Sequence, residues 1–179
     1  MSKLEAAYLV ADEQTSCEEL YREHYARVFR LCRLLLVDLQ EAEEAVQEVF
    51  LKLVKECRAQ SQILSWGAWL TRVAVNTCRD RRRSAWWKWW RTEHTEFQEA
   101  ELPSNSLTPE EQLLNREQQE LIWHFFRALS PRQREVFVLR RLEGLSSEEV
   151  AKVLGLTTGS VKRHLFHAIH HLRKALGGR

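Results

Sequence analysis

LSPRQREVFVLRRLEGLSSEEVAKVLGLTTGSVKRHLFHAIHHL, running from Leu129 to Leu172, carries the local signals of a helix-turn-helix. Ser130 precedes Pro131, a cap followed by the residue that fits a first helical position because its missing N–H has no partner there anyway. Gly144 is placed to end that helix in a left-handed conformation. Ser146 with Glu149 forms a capping box that opens a short helix through Leu154. Gly155 makes the turn, and Thr157 or Thr158 caps a last helix reaching about Leu172. On that helix Val161, Leu165, Ala168, Ile169 and Leu172 share one face. Lys162, Arg163, Phe166, His167 and His170 fall on the other. A basic, aromatic outer face behind a tight turn suits the DNA major groove, whereas the same pattern in an ordinary amphipathic helix is a solvated basic face.

Upstream, the chain also reads as helix. Its 179 residues hold only three prolines and six glycines, and no alternating strand pattern persists. Tyr21, Tyr25, Val28, Cys32 and Leu35 form one helical stripe. Ala42, Ala45, Val46, Val49, Phe50, Leu53 and Val54 form a second. Residues 58–65 are polar and read as a loop. Trp66, Trp69, Leu70, Val73, Ala74 and Thr77 mark a third helix, whose polar side carries Arg72, Asn76, Arg79 and Arg83. Residues 92–109 are acidic, contain two prolines and show no period, the composition of a linker. A second helical unit begins near Glu110, with Leu113, Leu114, Leu121, Ile122, Phe125 and Phe126 as core candidates. The expected fold is all-α: two small helical domains joined by a flexible linker, the C-terminal one containing the helix-turn-helix. The first 15 or so residues are expected to be frayed or to add a weak turn.

The net charge of +2 conceals a strong alternation. Residues 38–48 hold five acids and no base, while residues 71–91 hold seven bases and one acid. Such blocks suggest separate surfaces for separate partners. DNA would repel the acidic face, which suits a protein with a basic surface. Basic residues interleaved with aromatics from Trp66 to Arg91 suit opened DNA, where cations follow phosphates and rings stack on bases. Core packing explains Trp69 more simply. The run Trp86, Trp87, Trp89 and Trp90 is read as packing or a protein contact rather than a DNA contact.

Other chemistries find little support. Four cysteines stand without a CxxC pair, which argues against a zinc site or a disulfide framework. His164, His167 and His171 lie on one helical side, but no Cys or carboxylate close in sequence completes a metal site. No nucleophile motif, P-loop or HExxH occurs, so no enzyme, cofactor or metal is expected. There is no signal peptide and no membrane-spanning run, and cytoplasmic localisation is the default expectation.

Three segments together resemble the extracytoplasmic-function group of bacterial RNA polymerase sigma factors, over about Cys17 to Leu176. AEEAVQEVFLKL (Ala42 to Leu53) is similar to that family's core-polymerase-binding helix. WLTRVAVNTCRDRRR (Trp69 to Arg83) is similar to its promoter-melting and −10-reading helix, and the helix-turn-helix to its −35-reading domain. The resemblance implies sigma region 2 over residues 14–91, an acidic linker over 92–109, and region 4 over 110–176. It implies core RNA polymerase binding by Glu43, Glu44, Gln47 and Glu48. It implies −10 contacts from Arg72, Asn76, Arg79 and Arg83, and −35 contacts from Thr158, Lys162, Arg163, Phe166 and His167. The partners implied are core RNA polymerase, promoter DNA and an anti-sigma factor. This sequence departs from the family in the loop RAQSQILSW, which lacks the usual Phe-x-Gly-like stretch, and in carrying Arg163 and His167 where a serine and an arginine are common. The alternative reading is a stand-alone helix-turn-helix regulator, which would have no use for the acidic helix.

Overall fold

The computed structural model describes residues 16–91 and 122–177, and every regular element among them is helical. Helices α1 (Cys17–Leu36), α2 (Leu39–Arg58) and α3 (Trp66–Arg91) form the first unit. A short helical stretch over residues 122–128 leads into α4 (Pro131–Arg141), α5 (Ser147–Leu154) and α6 (Thr158–Gly177). The expected fraying of the first 15 residues, the linker at 92–109, the start of the second unit at Glu110, and Leu113, Leu114 and Leu121 lie outside the described residues. The helical backbone of α3 continues through Trp86–Trp90, but the side chains of residues 85–91 lie outside the description as well.

Local chemistry sets most of the helix boundaries. Ser16 caps α1 in a reciprocal box with Glu19, and Asp38 caps α2 by accepting from the Glu41 amide at 2.8 Å. Ser130 with Gln133 and Ser146 with Glu149 open α4 and α5 in the same way. Each such cap satisfies amides that the helix leaves unpaired and typically contributes about 1 kcal/mol. Thr157, not Thr158, caps α6: its hydroxyl accepts from the Ser160 amide at 3.1 Å. Gly155 ends α5 in the left-handed region at φ 64°, as its position suggests. Gly144 is also left-handed, at φ 72°, but it does not end α4. That helix stops at Arg141 with Leu142 as its cap, and Gly144 instead turns the chain toward α5.

Helices α1, α2 and α3 pack pairwise around Val28, Leu31, Cys32, Leu35, Val49, Leu53, Leu70 and Val75. In the second unit, α4, α5 and α6 bury Val136, Val138, Leu139, Val150, Leu154, Val161 and Ala168, with Phe125 and Phe126 beneath them. Two expected core stripes need correction. Tyr21 and Tyr25 are 45% and 39% exposed, because α1 turns Leu20 and Leu31 inward and leaves the two rings to meet Phe50 edge-on and tilted at the margin of the core. Ile122, expected in the second core, is half exposed.

The two units dock. Their buried residues form one continuous apolar cluster, with α1 packed against α4. Arg134 of α4 is buried and donates to the carbonyls of Leu35, Phe126 and Leu129, at 3.2, 2.9 and 3.3 Å. Arg82 of α3 donates to the same Leu35 carbonyl, at the end of α1. Arg33 stacks over the Trp123 ring at 4.1 Å, and Arg27 pairs with Glu143.

Candidate polymerase and promoter interfaces

Helix α6 turns Val161 and Ala168 fully inward with Leu165 packed beside them, so the opposite side of the helix must face out. Thr158, Lys162, Arg163, Phe166 and His167 are all exposed, and the structure brings them together on the N-terminal half of one helix. Phe166 is 68% exposed, a large apolar side chain standing in water, and its ring meets that of His167 edge-on at 5.8 Å. The free amides at the start of α6 add partial positive charge beside Lys162 and Arg163. His164, on the inner flank, has its pKa lowered by burial and then by the Arg163 charge, which favours its neutral form. This surface can grip phosphate and present donors to base edges.

On α3, Leu70, Ala74, Val75 and Cys78 face the core, and Arg72, Asn76 and Arg83 are exposed on the polar side. Arg83 pairs with Asp80 one turn away. Arg79 departs from its stripe. It is turned toward α4, where it makes a two-pronged contact with Glu135 at 3.1 and 2.9 Å and reaches the Leu154 carbonyl at 3.4 Å. The expected −10 set is therefore only partly presented as one surface.

On α2, Glu43, Glu44 and Gln47 are exposed and Glu48 is half-buried. No base lies among residues 38–48, yet one from another helix lies near them in space. Arg81 of α3 reaches across, binds Glu41 at 2.8 Å, and also pairs with Glu44 and Glu48. Burial works against the charge on Arg81, but its hydrogen bonds to the three carboxylates outweigh that and raise its pKa. The outer face of α2 is thus less negative than its sequence suggests, and Glu43 and Gln47 are its most open members.

Sequence reasoning missed both Arg81 and Glu135, since each meets partners more than thirty residues away. For Glu135 there was a signal. It lies three residues before Val138 and four before Leu139, on the apolar stripe of α4, where an acid must be paired to be buried. Its side chain is only 2% exposed, and it accepts from Arg79, Arg82 and Arg132. Burial alone would push its carboxyl upward. The Arg79 hydrogen bond and the charges of Arg82 and Arg79 override that and hold it below the ordinary value of 4.5.

The loop between α2 and α3 borders an open cleft of about 610 Å³, floored by Val54, Cys57 and Trp66. Trp66 and Trp69 meet edge-on at 5.8 Å and pack partly into the core. At the cleft rim Leu64 is entirely exposed.

Comparison with known proteins identifies the family of both units. Family models match residues 20–88 as Sigma-70 region 2 and residues 119–172 as Sigma-70, region 4. The chain is 31% identical over 163 residues to the RNA polymerase sigma-E factor of Streptomyces avermitilis, covering 90% of this chain and 86% of that one. It is 27% identical over 168 residues to the ECF RNA polymerase sigma factor SigM of Mycobacterium tuberculosis, covering 94% and 81%. In fold it resembles the sigma factor RpoE solved in complex with the anti-sigma factor NepR from Bartonella quintana, with a TM-score of 0.72 at 20% identity over 89% of this chain and 96% of that one. A stand-alone helix-turn-helix regulator would account for the second match alone, not for region 2 and region 4 in one chain. The chain belongs to the extracytoplasmic-function group of bacterial RNA polymerase sigma factors, the subunits that direct core polymerase to promoters and initiate transcription.

Proposed function

We propose that the three surfaces divide the work of initiation. The outer face of α2, with Glu43, Glu44, Gln47 and Glu48, binds core polymerase. The polar side of α3, with Arg72, Asn76, Arg79 and Arg83, engages the −10 element and helps separate its strands. The outer face of α6, with Thr158, Lys162, Arg163, Phe166 and His167, holds duplex DNA at −35. Residues 14–91 and 110–176 act as the two working domains, and residues 92–109 thread through polymerase between them. The chain works in the cytoplasm, supplies no catalysis of its own, and is held in check by an anti-sigma protein, as in the complexes formed by proteins of like fold. No helix among the described residues is long and apolar enough to cross a membrane.

The observation that carries this reading is the solvent-facing cluster on α6, set behind a fully capped turn. Purified chain mixed with core polymerase and a genomic promoter library should yield transcription starts that share two elements at fixed spacing. Starts lacking a common upstream element would remove α6 from its role.

A further inference from the structure

Arg79 is the one member of the −10 set that the structure does not offer to DNA, and what occupies it is an anion. The carboxylate of Glu135 lies in the fork of the Arg79 guanidinium, at 3.1 and 2.9 Å, and Arg82 closes on the same carboxylate. A planar guanidinium binds carboxylate and phosphate with the same two-pronged geometry, so one can stand in for the other. The contact also joins the two units, since α3 belongs to the first and α4 to the second.

This arrangement conflicts with simultaneous use of both reading surfaces. Elements centred near −10 and −35 lie about 25 base pairs apart, or roughly 85 Å at 3.4 Å per step. Helix α3 has 26 residues and α6 has 20, so at about 1.5 Å per residue they measure roughly 39 and 30 Å. With α3 in contact with α4 and with the end of α5, two such helices cannot reach both elements. The linker of residues 92–109 has eighteen residues and spans at most about 60 Å when extended, enough to let the two units part.

We propose that the free chain rests in a closed state, in which Glu135 of α4 occupies the phosphate position of Arg79 and Arg82, and that promoter engagement requires this acid to be displaced. The inference rests on the −10 role proposed above for Arg79. Phosphate on the −10 strand is the competing anion, and the two-domain span on polymerase pulls the carboxylate away. The lock is poised because its surroundings are cationic. Arg79, Arg82, Arg132 and Arg134 all crowd Glu135, and burial together with the Arg82 charge brings the Arg134 pKa down to about 10. Without the carboxylate, the same groups repel one another across the junction.

Small-angle X-ray scattering on the full free chain reads the closed state without reference to DNA. A compact chain of 179 residues has a radius of gyration near 16 Å, and residues outside the packed units add to it. Glu135→Gln should enlarge the radius by about a quarter at unchanged helical content in circular dichroism. An unchanged radius overturns the lock. In a parallel titration, Glu135→Gln should bind a labelled −10 single strand about tenfold more tightly and a −35 duplex with unchanged affinity, because α6 is already exposed. Expansion without any gain on the −10 strand overturns the masking of Arg79 while leaving the closed state standing. If Arg79→Ala also leaves −10 binding unaltered in an expanded chain, it is the proposed −10 role that has failed. Should Glu135→Gln lose helical content, Arg82→Glu sets an acid against Glu135 with the α4 core untouched, and the same expansion is required of it.

Discussion

Arg81 and Glu41 meet at 2.8 Å across the α2–α3 groove, and the same guanidinium also binds Glu44 and Glu48, so one cation on α3 organises most of the acidic face of α2. That face therefore has two kinds of acid. Glu44 and Glu48 hold the helices together as well as facing outward, and Glu43 stands open. Glu43→Lys should weaken co-purification with core polymerase and change stability by less than about 0.5 kcal/mol, the usual effect of an exposed substitution. Arg81→Ala should lower stability by about 1 kcal/mol, since its partners are substantially exposed and solvent screens them. Undiminished co-purification of Glu43→Lys, with thermal unfolding as the companion measurement, would remove the α2 acids from the polymerase contact.

Asn76 sits exposed on α3 between Arg72 and Arg79, with Val75 and Thr77 buried on either side. Its amide is free to meet a base edge or an unpaired base. Asn76→Ala should reduce strand opening or base preference within −10 and leave −35 preference as it was. Permanganate footprinting on matched promoters measures the first and a promoter library the second. Normal opening with an altered −35 preference would mean that the two domains had been assigned in reverse.

Acid should open the junction between the units. The carboxyl of Glu135 is held below 4.5, the direction for a group whose stabilising effect is complete above its unfolded value. That effect is lost as the pH falls through the lowered, folded value. The groups facing Glu135 are Arg79, Arg82 and Cys78 from α3, Arg132 and Arg134 from α4, and His164 from α6. Scattering between pH 5 and 3 should show expansion in the native chain, and Glu135→Gln should lack this step. Identical acid profiles for the two chains would place the titrating group elsewhere.

Cys57 and Cys17 face the cleft beside the α2–α3 loop as free thiols. Burial, then the hydrogen bond with Cys17, pushes the Cys57 thiol up to about 11. Only the thiolate reacts, so alkylation of Cys57 at pH 8 should run more than tenfold slower than that of an unhindered thiol. Cys17→Ser should leave part of the shift and speed the reaction, as followed by peptide mass spectrometry. Rapid alkylation in the native chain would contradict the raised pKa.

What the sequence disclosed and what it concealed divide along a physical line. Caps, turns and the faces of α6 are legible because their causes are local: Ser146 and Glu149, or Val161 and Ala168, lie within two turns of each other. Tyr21 and Tyr25 misled because helical spacing places a ring on a stripe without saying whether the stripe edge is covered. The Arg81 and Glu135 clusters were hidden because their partners are brought together only by packing. Charge blocks in sequence suggested separate surfaces, and the fold neutralises part of one block with part of another.

The division of labour on α6 is the most direct test of promoter reading. Lys162 lies near the helix N-terminus, exposed, next to core-facing Val161, a position suited to phosphate. Lys162→Ala should weaken −35 binding evenly across sequences and reduce its salt dependence by about one counterion. Arg163 and His167 are one turn apart on the outward side, flanking exposed Phe166. A guanidinium can make two parallel hydrogen bonds to guanine, and losing such a contact costs about 1–3 kcal/mol of discrimination. His167 can donate one bond to a base edge, and its ring is steadied by the edge-on contact with Phe166. Arg163→Ala or His167→Ala should therefore relax preference at particular −35 positions, while Lys162→Ala leaves every position's preference intact. Phe166→Ala should act through His167 and relax the same positions as His167→Ala to a smaller extent. A promoter library transcribed with each variant gives the four patterns side by side. An unchanged −35 preference in both Arg163→Ala and His167→Ala would show that this face does not read the element.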